Sequence, residues 1–297
     1  MSIRGLRGPR GLYVFRATLL YAAALGLLLV FCGPIAWMLL QATHGMTETL
    51  QQPYDLLPRQ WTLAAFGAVL GGGPNGDVLL WRDALNSVVY AGATMGTNVT
   101  LALMAGYAFA RLGFPLRRTL FALVVMAMMV PTAAIIIPLF MVVRVVAIGG
   151  GGLGWLNSYQ GLILPNAVTG LSIVLTRQFL RNLPLELDEA ARIDGCGPFT
   201  TLRHVVLPLS GPAIASVATL TFLTRWDDYL WPSVAGVTPD MFTLQVGLRF
   251  LEGSYAQQWP LLMASCTLAA LPILLLYVAL QPLFDRGLAS LGSGWEF

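Results

Sequence analysis

The hydrophobic positions of this chain gather into six long stretches without a charged residue, 17–40, 84–110, 119–143, 159–176, 205–224 and 259–284, with the charges confined to the segments between them. A hydrocarbon core about 30 Å thick takes about 20 apolar residues in helix, so each stretch is expected to cross a membrane. The fourth is the weakest, being short and carrying Gln160 and Asn166. Arg4, Arg7, Arg10 and Arg16 precede the first stretch in the manner of a signal peptide. Its apolar run exceeds the roughly 7 to 15 residues of such a segment, so an uncleaved anchor is expected.

Composition agrees with lipid as the solvent. Of 297 residues, 57% are hydrophobic and only 10% charged, where a water-soluble domain carries about a quarter. The mean hydropathy is +0.72. Soluble enzymes, solenoids and disordered chains are thereby excluded, and a scattered net charge of +3 does not suit a nucleic-acid partner. All 17 basic residues are arginine. Without lysine there is no Walker phosphate loop, so this chain does not bind ATP in the usual way. Cys32, Cys196 and Cys266 are odd in number and widely spaced, which fits apolar filler better than a metal or redox site.

Arginine also orients the chain. With six spans and the N-terminus inside, twelve arginines fall on the cytosolic side, and Arg59, Arg82, Arg144, Arg225 and Arg249 fall outside. Omitting the fourth span leaves nine against eight and destroys the bias expected of cytosolic loops. The expected organisation is therefore an all-α membrane protein with six transmembrane helices. Cytosolic tails at 1–16 and 285–297 flank a single transmembrane domain, 17–284, with a cytosolic loop at 177–204.

Pro34, Pro131, Pro138, Pro165, Pro212 and Pro272 lie in the spans. Each removes a backbone donor and kinks its helix, which suggests a bundle enclosing a path, although proline is also common in membrane helices generally. Gly92 and Gly96 form a close-packing step. No acidic or basic residue lies inside a stretch, which argues against an ion-coupled secondary carrier, because such carriers hold their coupling ion at mid-membrane. His44 and His204 fall in different loops, and no catalytic triad or metal-ligand set can be assembled.

The loop between spans four and five is the informative segment. Pro184, the acids Glu186, Asp188 and Glu189, and Gly195 read as the start, first turn and stop of a short helix. Asp188 and Glu189 are each placed to meet Arg192 on one polar face. Leu187, Ala190, Ala191 and Ile193 form a low-relief apolar stripe. The helix lacks the large apolar residues and basic face of one that lies on lipid, so docking onto a protein is expected. Gly197 and Pro198 then break the chain before a second turn containing Phe199 and Leu202.

Here the sequence resembles a family. Glu189-Ala190-Ala191, Gly195, Val205 and Leu207-Pro208 stand at the spacing of the EAA loop of ABC importer permeases, with Val205 where isoleucine is usual. Asn86-Ser87, the run from Gly106 to Arg111, Gln178-Phe179 and the run Trp226-Asp227-Asp228-Tyr229-Leu230-Trp231-Pro232 are similar to the maltose and glycerol-phosphate subfamily of carbohydrate importers. That subfamily usually has asparagine where Asp227 stands, and it commonly ends in a lysine-containing tail that this chain lacks.

The resemblance implies the type I ABC importer permease fold and the subunit without a large inserted loop. It implies partnership with a second permease, two copies of an ATP-binding subunit that holds ATP and magnesium, and an extracytoplasmic sugar-binding protein, in a bacterial or archaeal cytoplasmic membrane. This chain is then a transport subunit, with no catalytic residue, cofactor or metal of its own. The resemblance assigns Glu189, Ala190, Ala191 and Gly195 to transmission from the ATPase, with Arg192 and Asp194 as polar support and Phe199, Leu207 and Pro208 in the same coupling segment. Outside, it places the 235–258 segment against the binding protein, with Trp226, Asp227, Tyr229, Trp231, Glu252 and Tyr255 as candidate gate or contact residues. The nearest rival is an amino-acid or phosphate importer of the same kind, against which the 226–232 run favours sugar.

Overall fold

A computed structural model describes residues 10–45, 57–72, 80–145, 151–254 and 258–292. The helices are α1 (Arg10–Ala42), α2 (Ala64–Leu70), α3 (Leu80–Arg111), α4 (Arg117–Ala127), α5 (Thr132–Val145), α6 (Tyr159–Ile163), α7 (Gly170–Asn182) and α8 (Glu186–Ile193). There follow α9 (Pro198–Thr201), α10 (Leu207–Leu209), α11 (Gly211–Trp226), α12 (Leu230–Ala235), α13 (Leu244–Ser254) and α14 (Trp259–Gly292). Among the described residues there is no strand.

Among the described residues, three segments are long and apolar enough to cross a membrane by themselves: Arg16–Ala42, Leu80–Arg111 and Trp259–Ala279. The third expected span is instead a bent pair, α4 and α5, turned through 103° at a break before Pro131. The fifth is bent by 81° between Pro198–Leu209 and Gly211–Trp226, where Pro212 sits in the first turn of α11. A proline at N1 or N2 needs no donor, so a helix restarts there readily but does not continue through.

The fourth stretch departs most from expectation. It is not one helix: α6 ends at Ile163, a 3₁₀ turn runs Leu164–Asn166, and α7 begins at Gly170 and continues past 176 to Asn182. Thr169 is extended, and its side-chain oxygen accepts from the Ser172 amide to start α7 afresh. The polar groups of the break are met from the facing helix. Asn98 of α3 accepts from the Thr169 amide at 3.4 Å and donates to Thr221 of α11 at 3.1 Å. Broken backbone at membrane depth is tolerated only when protein satisfies it in this way.

The chain divides into two compact units, Met1–Gly71 with Glu252–Leu268, and Gly72–Leu251 with Ala269–Phe297. In the first, the apolar window of α1 is wholly unburied. The second is organised on α3, against which α7 and α11 both pack. Gly106 permits the α3–α7 approach: a Cβ there would lie 2.8 Å from the Thr176 side chain and 3.1 Å from the Arg177 amide. Helices meet this closely only where a side chain is missing.

Candidate functional site

Helix α3 spans roughly 48 Å at 1.5 Å per residue, and each end of it anchors a different cluster. At its C-terminal end, Leu103 and Tyr107 pack with Leu180 of α7 and with Leu202 and Val206 of a π-turn. This core seats the 183–210 segment. Above it, Arg111 reaches across to α8, meeting Asp188 at 3.3 Å with both side chains nearly buried, and donating to the Leu183 carbonyl at 2.6 Å. The ion pair fixes which face of α8 turns inward.

That geometry revises part of the expected arrangement. Asp188 pairs with Arg111, and among the described residues no ion pair involves Arg192. Ala191, expected on the apolar stripe with Ala190, is only 5% exposed and packs inward. The outward face carries Leu187, Glu189, Ala190, Arg192 and Ile193, and Asp194 is exposed at the helix end. Ile193 is 86% exposed and Phe199, on α9, 66% exposed. Two large apolar side chains so placed beside a polar rim form an uncovered contact surface. Leu207 and Pro208 are exposed on the same segment.

Gly195 ends α8 at φ +80°. The Gly195 amide donates to the Arg192 carbonyl at 3.0 Å and the Cys196 amide to the Ala191 carbonyl at 2.8 Å. This pair of bonds is a Schellman cap, whose glycine position needs a left-handed backbone. Three acids in the first turn and Arg192 in the last complement the helix dipole. The helix is therefore short, closed by hydrogen bonds at its C-terminal end, and begun by acids that favour the dipole without a side-chain cap.

The opposite end of α3 holds a second cluster. Asn86 donates to the carbonyls of Asp240 at 2.9 Å and Phe242 at 2.8 Å, and accepts from the Tyr159 hydroxyl at 2.6 Å. Ser87 accepts from the Leu244 amide at 2.7 Å. The Asn86-Ser87 pair thus pins the segment entering α13. One turn along α3, Tyr90 donates to Asp228 at 2.8 Å and accepts from Asn166 at 3.1 Å, while Arg225 meets Asp228 at 3.1 Å and Asn166 at 2.8 Å. Four side chains from three regions of the chain close one network.

The aromatic run is mostly interior. Trp226 is fully buried, stacked on Phe222 at 5.6 Å, and donates to the Ala269 carbonyl at 3.1 Å. Trp231 is buried and donates to the Gly161 carbonyl at 3.1 Å. Both side chains are therefore interior to this chain, and neither lies on its surface. Asp227 and Tyr229 are exposed, and Asp227 accepts from Gln245 at 3.1 Å. Glu252 is exposed near the end of α13, and Tyr255 lies outside the described residues. The residues that sequence reasoning passed over are Arg111, Asp228 and Asn166. Each stood within or beside a recognised run, but nothing local announces a partner 60 to 140 positions away.

Residues 98–290 match the family described as binding-protein-dependent transport system inner membrane component. The chain is similar to the sn-glycerol-3-phosphate transport system permease protein UgpE of Salmonella typhi, 32% identical over 287 residues, which cover 95% of this chain and 98% of that protein. It is also similar to the arabinooligosaccharides transport system permease protein AraQ of Halalkalibacterium halodurans, 34% identical over 210 residues, covering 71% and 73%. Among solved structures, a chain of a bacterial ABC transporter involved in the import of the acidic polysaccharide alginate superposes with a TM-score of 0.74 at 23% identity, over 95% of this chain and 99% of that one. This last likeness shows a shared fold.

Proposed function

The chain belongs to the family of binding-protein-dependent transport system inner membrane components, and from that premise we propose that it is a permease subunit of an ATP-driven importer of carbohydrate. The carbohydrate reading is supported by the relative named for arabinooligosaccharides. In this reading the chain crosses the membrane six times with both termini cytosolic, the broken segment 159–182 serving as the fourth crossing. It lines half of the path beside a second permease. Two ATP-binding subunits supply the energy with their ATP and magnesium, and an extracytoplasmic binding protein delivers the solute.

The observation that carries the proposal is the presentation of α8. Its inner face is tied to α3 through Asp188 and Arg111, its end is closed by Gly195, and its outer face leaves Glu189, Ala190 and Ile193 uncovered. A rigid, capped helix joined by an ion pair to the end of a long spanning helix transmits displacement; a floppy one would dissipate it. ATP shifts such an equilibrium only through its different affinity for the two arrangements. At the far end of α3, the Tyr90–Asn166–Arg225–Asp228 network is the set of bonds that this displacement would strain.

The test is solute uptake by the assembled complex in vesicles. Glu189→Ala is expected to reduce uptake by at least tenfold while the subunit remains inserted and the ATPase still hydrolyses ATP. Unchanged uptake would refute coupling through α8. Uptake that collapses with a protonophore while ATP is maintained would instead favour an ion-coupled carrier.

A further inference from the structure

Beside the α3–α8 joint lies a cavity of about 1060 Å³ framed by the ends of α3, α4 and α7, and five arginines line it: Arg111, Arg117, Arg118, Arg177 and Arg181. Of these five, and among the described residues, only Arg111 meets a carboxylate, that of Asp188. Arg117 is held in place by donating to the carbonyls of Phe109, Leu112 and Ala110 at 3.0 to 3.2 Å, which are the open C-terminal carbonyls of α3. Arg177 donates to the Phe109 carbonyl at 3.2 Å and lies 3.9 Å over the Phe121 ring. Arg118 and Arg181 are exposed, with no hydrogen bond or ion pair among the described residues.

We infer that this cavity is a binding site for the phosphate of an anionic phospholipid headgroup. Guanidinium forks match phosphate oxygens bidentately and are weakly hydrated, so several converging on one space recognise a phosphate-bearing anion. Lipid is favoured over a free phosphate ion by the rest of the lining, where Phe109, Phe114, Phe121, Leu116 and Leu185 offer apolar surface continuous with the arginines. Leu116 is held in a left-handed conformation, φ 61°, with its side chain exposed at the start of α4. In the proposed topology the site sits where these helices emerge on the cytosolic side, and basic pockets at such helix ends hold anionic headgroups. The inference is independent of which solute is carried.

The test uses the assembled, delipidated complex in neutral detergent, with phosphatidylglycerol titrated and bound lipid counted by native mass spectrometry. Phosphatidylcholine serves as the zwitterionic comparator and inorganic phosphate as the competitor. Phosphatidylglycerol is expected to bind in preference, and the double variant Arg118→Gln with Arg181→Gln to weaken it about thirtyfold, from about fivefold per charge, without changing phosphatidylcholine binding. Arg118→Lys with Arg181→Lys keeps the charge but loses the fork, and its affinity should fall between those of the native chain and the Gln variant. Equal phosphatidylglycerol binding by the Gln variant overturns the inference. Displacement by inorganic phosphate at matched concentration reassigns the cavity to a soluble anion, and loss of the ATPase subunit with lipid retained reassigns the arginines to a protein contact; either result overturns it as well.

Discussion

Arg111 and Asp188 are the residues on which the exposed helix depends most directly. Both side chains are nearly buried, at 5% and 12% exposure, and they stand 3.3 Å apart. Removing one partner of such a pair leaves an uncompensated charge and costs about 3–5 kcal/mol, whereas replacing both with apolar groups is often close to neutral. Arg111→Ala is therefore expected to lower the thermal unfolding midpoint of the purified complex far more than the double change Arg111→Met with Asp188→Leu. Equal losses would mean that the pair is not the anchor. Gly106 makes a second prediction of this size. Gly106→Ala forces a methyl against Thr176 and the Arg177 amide, and overpacking of this kind costs about 1–3 kcal/mol. A midpoint unchanged by Gly106→Ala would show that the two helices can separate freely.

At the scale of the element, α8 is defined by how it ends. Gly195 lies at φ +80°, and nothing would crowd a Cβ built there. The demand at this position is thus for backbone conformation and not for space. A non-glycine residue in the left-handed region costs about 1–3 kcal/mol, with asparagine among the most tolerant. Gly195→Val is expected to cut uptake severely, and Gly195→Asn to keep most of it. If both variants fail equally, the glycine is required for close approach of a partner and the cap argument is wrong. The bends belong to this scale too. Proline and the residues before it break the third and fifth stretches at 103° and 81°, and the sequence marks both places with Pro131 and Pro212. The angles themselves depend on what each half packs against.

For the whole molecule, the arginine bias and the exposed α8 surface make one statement about sidedness. Ile193 is the most exposed large apolar residue of that segment. In a background with the three native cysteines replaced, Ile193→Cys is expected to react with a membrane-impermeant maleimide only in inverted vesicles or after permeabilisation. Labelling in intact cells would invert the topology and end the coupling proposal with it. In the proposed topology the broken fourth stretch is the crossing on which that parity turns. Residues 159–182 contain two helices and a 3₁₀ turn, and their polar break is met by Asn98.

What the chain reveals unaided is whatever arises from composition and short spacing. Long uncharged stretches disclose lipid as solvent, arginine asymmetry suggests an orientation, and the Glu189-Ala190-Ala191 to Pro208 pattern identifies the family, since each is a property of neighbouring residues. Helix boundaries near the first, second and last stretches followed for the same reason, although α1 and α14 run on into the segments expected as tails. Tertiary structure alone decided that Ala191 faces inward, that Asp188 turns to Arg111 and not to Arg192, and that Trp226 and Trp231 brace the interior. It also decided that five arginines from three helix ends share one cavity. These are contacts between positions far apart along the chain. A stripe of apolar residues shows that a helix has two faces, but which face is covered depends on the partner packed against it.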